Sequence, residues 1–61
     1  MRIVLRKSSL VPGHVEIVAV DGDPTRVPAT TTYDTEADAI HAVAQYLGVV
    51  SNEIEEVVYE G

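Results

Sequence analysis

Asp21, Asp23 and Thr25 stand at alternate positions in VAVDGDPT, directly after an apolar run. Carboxylates and a hydroxyl gathered in one short loop are residue types that hold hard cations or act on phosphoryl groups. The remaining candidates are sparse. His14 and His41 lie 27 residues apart with no cysteine in the chain, which is not a zinc-ligand spacing. Ser8, Ser9 and Ser51 have no nucleophile motif around them.

VAVDGDPT resembles the first motif of haloacid-dehalogenase-type phosphatases. That resemblance implies a nucleophilic Asp21 and a general acid/base at Asp23. It covers eight residues and stops there. The family also has a much larger doubly wound domain and a downstream lysine, whereas no lysine or arginine follows Arg26 here. The same three residues resemble the opening of an EF-hand calcium loop. The sixth position of such a loop is glycine and the twelfth glutamate; here they are Arg26 and Thr32. Read from the residues alone, DGDP is a turn, using Asp, Gly and Pro for their backbone preferences. No enzyme activity, metal or cofactor is expected. A chain of 61 residues is also too short to enclose a pocket of ordinary size.

The elements that would carry these residues form one small domain. RIVLRK and HVEIVAV read as strands, joined through the Pro12–Gly13 turn. TRVPATTTY leans toward a third strand, but Pro28 confines it to an edge or a short run. TEADAIHAVAQYLG reads as a helix capped by Thr35, with Asp38 three residues on and Gly48 as its stop. SNEIEEVVYEG is β-branched enough for a final strand beside the first. The expected fold is α+β, ββ(β)αβ: a small mixed sheet with one helix across one face, spanning residues 1–61.

Alternation assigns the faces. Ile3, Leu5, Val15, Ile17 and Ala19 point toward the helix; Val4, Val18 and Val20 point away, beside Arg2, Arg6 and Glu16. On the helix, Ala37, Ile40, Ala44 and Leu47 form the buried stripe. Ala39, Ala42, Val43 and Tyr46 form a second stripe, which suits a second neighbour. In the last strand Ile54, Glu56 and Val58 face the helix, and Glu53, Glu55, Val57 and Tyr59 face outward.

Charge completes the reading. The net charge is −6. Residues 1–33 carry Arg2, Arg6, Lys7 and Arg26 against Glu16, Asp21 and Asp23, a net of +1. Residues 34–61 carry Asp34, Glu36, Asp38, Glu53, Glu55, Glu56 and Glu60 with no base, a net of −7. Such a chain disfavours nucleic acid, where phosphate neutralisation drives binding, and suits a partner with a basic surface. The same acidity serves solubility, or a high-salt host. No stretch reaches the roughly 20 apolar residues of a membrane span, and the lack of cysteine fits a reducing, cytoplasmic setting.

The sequence therefore points to a non-catalytic acidic interaction module: an adaptor, inhibitor or accessory subunit. It homodimerises or docks on a larger protein, because so short a chain is marginal alone. Arg2, Val4, Arg6, Val18, Val20, Tyr46, Glu53 and Glu60 are the expected interaction residues. The alternatives are a nucleic-acid binder using the Arg2/Arg6 sheet face and a small enzyme using Asp21 and Asp23.

Overall fold

RIVLRK has an apolar neighbour on each side and becomes the centre of the sheet. In the computed structural model, which describes residues 1–30 and 32–60, β1 spans Arg2–Lys7 and β2 spans Val15–Val20. β3 is the short Thr32–Tyr33. The helix α1 covers Glu36–Leu47. A 3-10 turn at Ser51–Glu53 leads into β4, Glu56–Tyr59. The strand order is β3-β2-β1-β4. β1 pairs antiparallel with β2 and parallel with β4, and β3 lies at the edge beyond β2. The sheet is mixed and carries one helix, as the residue pattern predicts.

Turn chemistry fixes the connections. Pro12 and Gly13 occupy the centre of a turn closed by the His14 N–H donating to the Val11 carbonyl, 3.1 Å. Gly13 has φ +83°, the value a type II turn needs after proline. Ser8 Oγ accepts from the Leu10 and Val11 N–H groups and tightens the loop. At the helix start, the Asp38 N–H donates to Thr35 Oγ1 at 3.1 Å, satisfying one of the helix's free donors. At its end Gly48 takes φ +71°.

The core consists of Ile3, Leu5, Ile17, Val20, Ala39 and Val43, with Ile40, Leu47, Ile54 and Val57 among the half-buried residues around it. Fully burying one such aliphatic side chain is worth about 1.5–3 kcal/mol. Three sequence expectations change here. First, β2 contains a bulge. Ile3 pairs with Val20 and Val4 with Ala19, but Leu5 pairs with Ile17, so Val18 is the extra residue. The slip inverts the alternation beyond it. Val20 is fully buried rather than outward-facing, and Ala19 moves to the Val4 side.

Second, the helix has one apolar stripe rather than two. Ala39, Val43 and Ala44 are buried, with Ile40 and Leu47 beside them. Ala37 and Tyr46 are exposed. The two stripes inferred from the sequence lie side by side around the helix, and its arc toward the sheet takes the inner edge of each.

Third, the last strand has the opposite facing. Ser51–Glu53 turns instead of extending, with the Ile54 N–H donating to the Ser51 carbonyl. Ile54 reaches the core from that turn. The strand proper starts at Glu56, where Val57 stands opposite Ile3 on the helix side. Glu56 and Val58 consequently face away from the helix.

Candidate functional site

The helix covers one face of the sheet, and the residues with functional potential collect on the other. From β1 come Arg2, Val4 and Arg6; from β2, Glu16 and Val18; from β4, Glu56 and Val58, with Glu60 just beyond. Charged residues flank a small apolar centre. Arg2 Nε donates to Glu56 Oε1 at 3.0 Å. Arg6 Nε donates to Glu16 Oε2 at 2.9 Å and lies 3.9 Å, through its Nη1, from Glu60 Oε1. Arg6 thus bridges carboxylates from both neighbouring strands. Val4 and Val18 are half-buried between these pairs, and Val58 is 37% exposed.

The electrostatics follow from that geometry. The Arg6 hydrogen bond, aided by one from Ser8, holds the Glu16 carboxyl below its ordinary pKa. Burial raises the Tyr59 phenol, and a hydrogen bond to Glu36 with that carboxylate's charge raises it further. His14 Nε2 meets Asp34 Oδ1 and joins the residue before β2 to the segment before the helix.

Asp21 and Asp23 do structural work. Asp21 has φ +51° and Gly22 φ +80°. Val20 and Asp23 exchange two backbone hydrogen bonds, of 3.1 and 2.9 Å, across them. That is the two-residue hairpin turn for which Asp-Gly is favoured. The Asp21 carboxylate accepts from the Arg2 N–H at 2.8 Å. Asp23 Oδ1 accepts from the Thr25 hydroxyl and N–H, at 2.6 and 2.9 Å. These bonds, the hydroxyl's first, hold the Asp23 carboxyl below its usual range. All three oxygen-bearing residues of the motif are occupied in shaping the loop. Among the described residues, no three His, Asp or Glu side chains come together as a metal-binding group.

Of the residues expected to mediate interaction, Arg2, Val4, Arg6, Val18 and Glu60 share the open face. Val20 does not, because the bulge turns it inward. Tyr46 is 54% exposed, but on the helix, away from this surface. Glu53 is exposed in the 3-10 turn, where its carbonyl accepts from the Met1 ammonium at 2.8 Å. Sequence reasoning misses Glu56 and Val58. The available signal was spacing: Arg2 and Arg6 are four residues apart, as are Glu56 and Glu60, so two parallel strands in register oppose both pairs.

Comparison with known protein families, with curated proteins and with solved structures gives no match. Among the described residues, no helix is long and apolar enough to cross a membrane.

Proposed function

We propose that this chain is a small non-catalytic interaction module that docks on a larger protein through the open face of its sheet. The observation that carries the reading is the Val4–Val18–Val58 patch, left uncovered by the helix and framed by the Arg2–Glu56, Arg6–Glu16 and Arg6–Glu60 pairs. An apolar centre with a charged rim is the usual anatomy of a protein interface. The paired arginines weigh against the nucleic-acid alternative, since a phosphate would have to displace Glu16 or Glu56. The occupied Asp21 and Asp23 weigh against the phosphatase alternative.

The test is affinity capture from the native host with the parent chain and with Val18→Glu. A protein retained by the parent and lost to the variant, with unchanged melting of the variant, supports the reading. Capture indifferent to Val18→Glu overturns it.

A further inference from the structure

Among the described residues, β4 is an edge strand, bonded to β1 on one side only. The Glu60 N–H donates to the Leu5 carbonyl at 2.7 Å, and the Glu56 N–H to the Met1 carbonyl at 3.4 Å. With a period of two, Glu56, Val58 and Glu60 turn their backbone groups toward β1. Val57 and Tyr59 therefore turn theirs to the open edge. An unpaired row of this kind is a template for another extended chain. Of the devices that keep an edge free, β4 has shortness and acidic charge but not lysine, proline or a bulge: residues 54–60 contain no lysine and no proline, and the bulge lies in β2.

The charge around the edge selects the occupant. Residues 53–60 carry Glu53, Glu55, Glu56 and Glu60 and no base. Glu53 and Glu55 are exposed and form no ion pair among the described residues. A second copy fits poorly. The antiparallel register that uses both Val57 and Tyr59 on each strand is centred on Val58. It sets Glu56 against Glu60 of the second copy, twice, and like charges directly opposite destabilise a sheet.

We infer that the β4 edge takes an extended basic segment of a partner protein as a fifth strand, hydrogen-bonded to Val57 and Tyr59, with lysine or arginine side chains meeting Glu53 and Glu55. The inference rests on reading the chain as a protein-binding module, and it names the chemistry of the partner.

The experiment uses the whole chain and a short capped peptide of alternating lysine and valine. Three further peptides serve as controls: one with glutamate for lysine, one N-methylated at alternate positions, and one of scrambled glycine-rich sequence with the same charge. Binding is followed by anisotropy, and amide hydrogen exchange reports the contact. The lysine–valine peptide is expected to bind, and to slow exchange at Val57 and Tyr59 more than at Glu56 and Val58. The glutamate and N-methylated peptides lose binding. Glu53→Gln with Glu55→Gln weakens it several-fold and flattens its salt dependence. Tyr59→Pro, which removes one outward donor without touching a β1–β4 bond, abolishes it.

Equal binding of the scrambled or N-methylated peptide means simple charge attraction and overturns the inference. So does a dimer in sedimentation whose Val57 and Tyr59 amides are already protected without peptide. Capture lost to Val18→Glu, with Tyr59→Pro silent and no peptide bound, leaves the docking module standing and overturns only the edge.

Discussion

Arg2 and Glu56 stand opposite each other on adjacent parallel strands, with Nε and Oε1 3.0 Å apart. Both side chains are more than half exposed, so water and salt screen the pair. A double-mutant cycle of Arg2→Ala and Glu56→Ala should give a coupling of about 0.2–1 kcal/mol. Chemical denaturation at low and high salt is the measurement, and the coupling should shrink as salt rises. A coupling independent of salt would mean that the contact is packing rather than charge.

Val18 and Val20 should respond oppositely to the same substitution. Val20→Glu places an unpaired carboxylate in a fully buried site, a cost of several kcal/mol. A domain of this size has only about 3–5 kcal/mol to lose, so Val20→Glu should be unfolded by circular dichroism. Val18→Glu should melt close to the parent, because Val18 is the bulge residue on the open face. The reverse result would show that the bulge is absent.

The helix ends offer a second comparison. Thr35→Ala removes the hydrogen bond to the Asp38 N–H and should cost about 1 kcal/mol. Gly48→Ala forces an L side chain into the left-handed region and should cost about 1–2 kcal/mol. Among the described residues nothing lies within 4 Å of the added Cβ at Gly48, so that cost is backbone conformation. Thermal melts of both variants check the values.

Acid should destabilise the fold through Glu16. Its carboxyl is depressed in the folded state by the Arg6 and Ser8 hydrogen bonds. A depressed acid contributes stability that is fully present above its unfolded value, about 4.3, and is lost as pH falls through the lower folded value. Asp23 adds the same sign from an unfolded value of about 3.9, through its bonds to Thr25. Glu16→Gln should lower stability near neutral pH, where the Glu16 contribution is fully present, and flatten its fall on the acid side. Denaturant midpoints across that range decide it.

The elements were legible because their signals are local. Thr35, Asp38 and Gly48 mark the helix ends, Pro12–Gly13 and Asp21–Gly22 mark the hairpin turns, and Pro28 lies in the non-strand stretch before the short β3. The faces were less legible. IVAV is apolar at every position, so alternation cannot register a slip within it and assigns Val20 to the wrong face. SNEIEEVVYE has apolar residues at both parities, so its frame depends on where the strand starts. That start is set by a non-local bond pattern, with the Glu55 and Glu56 N–H groups both donating to the Met1 carbonyl. The open face was read correctly at Arg2, Val4, Arg6 and Val18, the positions before and at the bulge.

The bulge has a consequence for how this chain tolerates changes in length. Deleting one residue within a central strand ordinarily exchanges inside for outside in everything beyond it. Here the residue at Val18 is already surplus to the pairing. Without it Glu16, Ile17, Ala19 and Val20 would alternate regularly against Arg6, Leu5, Val4 and Ile3, with Val20 still in the core and the Asp21–Gly22 hairpin still in place. The middle of β2 is therefore a position where a lineage can gain or drop a residue without refolding, at the cost of the local twist and of one valine on the open face.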